Sequence, residues 1–188
     1  LWYNDDISLF SSSWMKVDDF WANMAVSAIA HDASNTQIFY VGTGEGYGNI
    51  DAVRGGGVWK SIDGGISWNK TISNPSGNNR RFRISIHPED ANHIWVCTAR
   101  GVDGDKVHNS VDGGETWVNK TTTNLDGENL TDILYQGGSN DLVYVTSQYG
   151  VLYWDNNTNN WIDYSSGLPL VLKPICIAKR IPQIIVSI

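Results

Sequence analysis

Basic residues are scarce in this chain, and so are cysteines and long apolar runs. Of 188 residues, 13 are Lys or Arg against 20 Asp or Glu, a formal net charge of −7. The densest basic stretch is Arg80-Arg81-Phe82-Arg83. A chain this acidic, with no basic face, cannot neutralise a row of phosphates, so neither nucleic acid nor an anionic membrane surface is an expected partner. Apolar stretches such as Ile184-Ile185-Val186 are far too short to span a bilayer, and no membrane insertion is expected. The two cysteines, Cys97 and Cys176, stand in strand-like surroundings and read as buried thiols. A disulfide between them is the alternative, which spacing does not decide. No zinc-ligand spacing occurs, and no metal or cofactor is expected. Phe is sparse as well, four against nine Trp and eight Tyr, whereas Gly reaches 19. That balance suits short strands and tight turns, because Gly supplies positive φ and aromatic residues favour pleated surfaces. The chain starts at Leu1 without Met or a signal peptide and stops inside an apolar run, so it reads as cut from a longer parent chain.

What is present is a repeat. Ser61-Ile62-Asp63-Gly64-Gly65-Ile66-Ser67-Trp68 returns as Ser110-Val111-Asp112-Gly113-Gly114-Glu115-Thr116-Trp117, an offset of 49 from Ser61 to Ser110. At average residue usage adjusted upward for this chain's Gly and Trp, S-x-D-G-G-x-[ST]-W arises by chance on the order of once per million positions. Upstream, Gln37–Thr43 matches His93–Ala99 and Leu142–Ser147, each after a polar turn. Before those turns lie alternating segments, Val26–His31 and Phe82–His87, with a looser copy at Leu130–Tyr135. Third strands are expected at Gly57–Ser61, Lys106–Ser110 and Gly150–Trp154, and fourth strands carrying Trp68, Trp117 and Trp161. Four strands in each ~40–50 residues is the pattern of a β-propeller blade. The expected fold is therefore all-β, a propeller segment of four-stranded antiparallel blades. The expected division is the end of a preceding blade at about 1–19, blades at 20–72 and 80–122, a degenerate blade at 128–164 and the start of another at 170–188. In the degenerate unit Asp155-Asn156-Asn157-Thr158-Asn159-Asn160-Trp161 occupies the hairpin, with Asn replacing Gly because Asn tolerates the left-handed region.

The repeated motif reads as a structural corner. Asp63 and Asp112 can accept backbone N–H bonds of the turn, and Gly64-Gly65 and Gly113-Gly114 allow the positive φ of a two-residue hairpin. Ser61 with Ser67, and Ser110 with Thr116, complete a polar network, while Trp68 and Trp117 cover the underside. On this reading none of these residues is left for catalysis or metal binding.

These motifs resemble the Asp boxes of BNR-repeat propellers, a group that includes sialidases, Vps10/sortilin-like receptors and xyloglucanase-like glycoside hydrolases. Tyr40-Val41-Gly42-Thr43-Gly44-Glu45-Gly46, Asp51-Ala52-Val53-Arg54-Gly55 and Gly57-Val58-Trp59-Lys60-Ser61 are similar to segments of large secreted proteins of the Bacteroidetes type. The resemblance covers roughly residues 20–170. It implies export to the surface or outside the cell and a larger parent chain, and it is weak for activity. Arg180-Ile181-Pro182 looks like a sialidase signature, but it follows the repeats instead of preceding them and reads as coincidence.

The stretch Gly44–Gly57 is the best candidate for function. It is an insertion, since Val41 to Val96 is 55 residues and Val96 to Val145 is 49. It carries Glu45, Tyr47, Asn49, Asp51 and Arg54 among glycines, residue types that bind glycans or peptides. An internal Glu45–Arg54 or Asp51–Arg54 ion pair shaping the loop is the alternative. Glu45 and Asp51 are the weak catalytic candidates: Gly44 stands where a xyloglucanase-like carboxylate is expected, and hydrolysis needs a second carboxylate. Arg100–Asp105 is the equivalent loop of the next unit; Asp103 and Asp105 read as solvated, with Ca²⁺ binding as the alternative although the rest of an EF-hand-like loop is absent. His31 and His87 sit at equivalent strand ends, His93 and His108 on strands, all as packing or turn residues. The expected function is a non-catalytic extracellular module binding protein or glycan ligands through loops. A fragment of a secreted glycoside hydrolase is the alternative.

Overall fold

The computed structural model describes residues 1–4, 6–17, 25–45, 53, 55–73, 81–99, 106–125, 129–137, 141–148, 150–169, 176–180 and 183–187. A short hairpin, β1 (Trp2–Tyr3) with β2 (Met15–Lys16), comes first. Three four-stranded sheets follow, each antiparallel and each in chain order. The first joins β3 (Val26–His31), β4 (Phe39–Thr43), β5 (Gly57–Ser61) and β6 (Asn69–Ser73). The second joins β7 (Arg81–Ile86), β8 (Ile94–Ala99), β9 (Lys106–Ser110) and β10 (Val118–Asn119). The third joins β11 (Leu130–Tyr135), β12 (Val143–Ser147), β13 (Gly150–Asp155) and β14 (Asn160–Asp163). A last hairpin pairs β15 (Cys176–Arg180) with β16 (Gln183–Ser187). One turn of 3-10 helix, Thr123–Leu125, is the only helical element among the described residues.

The second strand of each sheet is the deepest. Tyr40, Val41, Ile94, Val96, Val143 and Val145 are all buried to within 1%. These strands are apolar on both faces because each sheet is covered by its neighbours, so their sequence shows no alternation. Cys97 lies in this layer and is buried. Fourth strands start later than expected: Trp68 and Trp117 precede β6 and β10, and only Trp161 lies within its strand. His93 likewise sits one residue before β8.

First strands β3, β7, β11 and β15 run side by side and stitch sheet to sheet. Phe82 N donates to Ser27 Oγ (2.9 Å), Tyr135 N to Ser85 Oγ (2.8 Å) and Ile177 N to Asp132 Oδ2 (3.1 Å). Arg83 crosses both seams, with Nη1 donating to Ser27 O at 2.6 Å and Nε 3.8 Å from Asp132 Oδ1. β3 and β11 each carry a register shift, at Val26/Ala28 and Leu130/Asp132, whereas the β7–β8 register is unbroken. An extra residue in a strand re-aims its side chain, and Ser27 at the first shift is the one that reaches the next sheet.

Close approach at the first seam requires Gly42. A Cβ there would lie 2.5 Å from Phe82 Cβ, the rigid stem of a side chain that is itself 1% exposed. Gly42→Ala is expected to lower stability by about 1–3 kcal/mol through overpacking. The urea midpoint measures it, and an unchanged midpoint would show the seam to be looser than described.

Candidate functional site

Connections between first and second strands, and between third and fourth, share one face of the assembly. Connections between second and third strands lie on the other. The Gly44–Gly57 loop belongs to that second face. Its base is pinned: Gly44 N donates to Ala25 O (2.6 Å), Glu45 N to Val53 O (2.9 Å) and Gly56 N to Thr43 Oγ1 (2.8 Å). Gly44 takes φ +115°, a value that excludes most other residues. The Glu45 carboxylate accepts Val53 N at 3.0 Å, so it staples the loop through the backbone. Tyr47, Asn49, Asp51 and Arg54 lie outside the described residues, as do both proposed ion pairs and Arg100–Asp105.

On the opposite face the two S-x-D-G-G-x-[ST]-W hairpins are near copies. Ser61 Oγ donates to Asp63 Oδ1 (2.7 Å) and accepts Gly65 N (2.8 Å), while Asp63 accepts both the amide and the hydroxyl of Ser67. Ser110, Asp112, Gly114 and Thr116 repeat the pattern. Trp68 Nε1 donates to Gly65 O and Trp117 Nε1 to Gly114 O. Gly64 and Gly65 have φ +74° and +92°, Gly113 and Gly114 +70° and +90°. The expected two-residue turn is corrected to a longer loop, because the last strand pairs are Lys60↔Asn69 and Asn109↔Val118. The Asp–Ser/Thr bonding needs that longer loop. Hydrogen bonds from Ser67 and Ser61 hold Asp63 down to about 2, and those from Thr116 and Ser110 do the same for Asp112.

Each hairpin is tied to its own sheet, Gly64 N donating to Gln37 O and Gly113 N to Asn92 O. The second also docks on the first sheet. Gly113 O accepts Tyr40 Oη (2.9 Å) and Lys60 Nζ (2.7 Å). The third hairpin is shorter, closing at Asp155↔Asn160 with Asn159 at φ +51°. Trp154 takes the place of the serine, and its Nε1 donates to Asn156 Oδ1 (2.9 Å). Trp161 turns away, fully buried, with Nε1 donating to Lys120 O of the second sheet.

A cavity of about 170 Å³ opens in this second seam, lined among others by His93, Trp95, Asn109, Tyr135, Asp141 and Trp154. A groove of about 210 Å³ in the first seam is lined by Lys60, Asn69, Lys70 and Thr71 of the first sheet and by Gly114 and Glu115 of the next hairpin. Beside the lining residues Asp141 and Tyr135 of the second-seam cavity, His87 Nε2 stands 2.9 Å from Asp141 Oδ1, and the His87 ring packs edge-on to Tyr135 at 4.7 Å. Asp141 has φ +48°, costly for a residue other than glycine. Burial first, then the Asp141 charge, push the Tyr135 hydroxyl up, so it stays protonated. The sequence did not point here. His87 and His93 flank the turn between β7 and β8, and Tyr135 and Asp141 the turn between β11 and β12, so no single stretch of sequence brings them together. Among the described residues no group of three His, Cys, Asp or Glu could hold a metal ion, and no helix is long and apolar enough to cross a membrane.

No protein-family profile and no curated protein matches the chain. Among solved structures it is similar to the GH74 xyloglucanase of Xanthomonas campestris, at 16% identity and TM-score 0.60, over 87% of this chain and 27% of that one. An ancestral GH74 enzyme matches at 23% identity and TM-score 0.56, over 79% of this chain and 19% of the other. YCF48 bound to D1 peptide matches at 15% and 0.53, over 74% and 40%. The chain thus spans roughly a fifth to two fifths of these proteins. The likeness establishes the fold as a β-propeller segment of four-stranded antiparallel blades.

A carboxylate held below its usual range contributes stability above its ordinary pKa of 3.8 and loses it as pH falls through the folded value. Asp63 and Asp112, at about 2, set that window between roughly pH 4 and 2. Thermal melts are expected to fall across it. The Asp63→Asn/Asp112→Asn double variant should melt lower at pH 7 and show a shallower fall. An equally steep fall in both proteins would remove these two groups as the cause.

Proposed function

We propose that this chain is part of an exported Asp-box propeller that binds protein or glycan ligands through its loops, without catalysis. The single observation that carries this reading is the Glu45 carboxylate, which accepts Val53 N and closes the base of its loop. A group committed to the backbone in this way shapes a binding surface, with Tyr47, Asn49, Asp51 and Arg54 as the ligand-contacting residues of the segment it encloses. The Ser–Asp–Gly–Gly–Trp hairpins support the Asp-box assignment, since their aspartates are consumed by internal bonds. Export and a larger parent chain belong to the same reading.

A second reading, a segment of a glycoside hydrolase, is favoured by the likeness to the GH74 enzymes. Hydrolysis needs two carboxylates flanking the scissile bond. In the second reading Glu45 or Asp51 supplies one of them, and the other comes from a blade beyond this segment.

The two separate in one assay. Full-length parent protein is expected to bind a protein or glycan ligand and to leave xyloglucan and β-glucan intact. Glu45→Gln should weaken loop stability and ligand affinity together. Turnover of either polysaccharide, abolished by Glu45→Gln or Asp51→Asn, would overturn the binding reading in favour of the enzyme.

A further inference from the structure

We propose that the two terminal hairpins are complementary halves of one blade and that a second copy of this chain joins them, β16 of one copy pairing with β1 of the other. This goes beyond the ligand-binding reading and concerns how the outer sheets are completed.

Hydrogen bonds give each hairpin its place in a blade. In the second sheet Asn119 pairs with His108, and the next bond runs from Lys120 N to Val107 O. In the third, Asp163 pairs with Leu152, and Tyr164 N donates to Val151 O. In the first hairpin Lys16 pairs with Trp2, and Val17 N donates to Leu1 O. β1 and β2 are therefore a third and a fourth strand. Trp14 stands just before β2, as Trp68 and Trp117 stand just before β6 and β10. At the other end, β15 packs against β11 and β12 as β7 packs against β3 and β4. Ile177 joins Tyr144 and Val151 in the core, as Phe82 joins the equivalent Tyr40 and Val58. β15 and β16 are therefore a first and a second strand. Each hairpin lacks the two strands that the other supplies, yet within one copy they form separate sheets.

The faces match as well as the edges. In the first seam the Gly113 corner sits on Tyr40 and Lys60 of the preceding sheet, and Trp117 packs on the core around Tyr40. Tyr144 and Tyr153 hold the same paired positions in the third sheet. Tyr164 packs on both rings and is 57% exposed, and among the described residues no corner hairpin covers it. A corner with no sheet beneath it stands at the other end. Trp14 is 65% exposed, whereas its counterparts Trp68 and Trp117 are half-buried. Docking one end on the other removes both apolar surfaces from water.

The register follows from the second sheet, where Val107, His108 and Asn109 pair with Cys97, Val96 and Trp95. Equivalence sets Leu1 opposite Ile185, Trp2 opposite Ile184 and Tyr3 opposite Gln183. The Leu1–Val17 bond turns the N–H and carbonyl of Trp2 toward the open edge of β1. Two copies that exchange both ends close about a twofold axis into a ring of eight four-stranded sheets.

Sedimentation of the 188-residue chain tests this. A dimer, twice the 20.8 kDa of one chain, is expected, with a dissociation constant on the order of micromolar or lower. Trp2→Pro removes the outward N–H of β1 and should give a monomer of unchanged far-ultraviolet circular dichroism. For the register, Tyr3→Cys and Gln183→Cys chains are mixed and oxidised. A disulfide-linked dimer is expected, because a directly opposed pair that is not hydrogen-bonded lies within disulfide reach. Tyr3→Cys mixed with Asn35→Cys should give none, which also controls for Cys97 and Cys176. A monomer at every concentration, a Trp2→Pro protein that stays dimeric, or equal cross-linking with Asn35→Cys would each overturn the proposal. A longer parent protein that is monomeric would overturn it too, since its own residues would then supply the missing strands. Ligand capture by a monomer would leave the binding reading intact.

Discussion

Phe82, Tyr135 and Ile177 each give a backbone N–H to a side-chain oxygen of the preceding sheet, and the stacking of the sheets depends on those bonds. A four-stranded sheet has two apolar faces and cannot hide either alone. Burial of the second strands follows only when a neighbour covers each face, and the neighbour is aligned by the first-strand bonds. Arg83 extends the alignment over two seams by reaching Ser27 O and approaching Asp132. Stability in such a row is a sum of sheet terms and nearest-neighbour seam terms. Gly42 and Ser27 therefore matter more to the first seam than their size suggests.

Much of this was legible in the sequence, because the repeat is itself a statement of geometry. Strand order and the position of the Ser-Asp-Gly-Gly-Trp corners follow from in-register copies, and the glycines stand at positive φ as the corner requires. Loop length was misjudged. Pairing of Gly-Gly with a two-residue turn ignored the demand of Asp63, which must reach the amide and hydroxyl of Ser67 four residues on. Trp161 was placed with Trp68 and Trp117 by position, but it has no Gly carbonyl to bond and instead turns to Lys120 O.

The candidate loop was legible in composition only. A Glu45–Arg54 or Asp51–Arg54 ion pair was the alternative that charge offered, and Arg54 lies outside the described residues; what the described geometry adds is a backbone amide on Glu45, a partner that carries no residue-type signal. The second-seam cavity was less legible still. It is lined by Trp95 and Asn109 of the second sheet and by Tyr135 and Trp154 of the third, residues that no single strand brings together. Only the stacking of one sheet on the next turns them into a gap.

Trp95 belongs to the second sheet, and Trp154 and Trp161 to the third. Their rings sit within 5.9 Å of one another. Indoles so close mix their excited states, and the coupling decays steeply as they part. The junction between these sheets therefore carries an intrinsic optical gauge, and its opening is visible in circular dichroism without any attached dye.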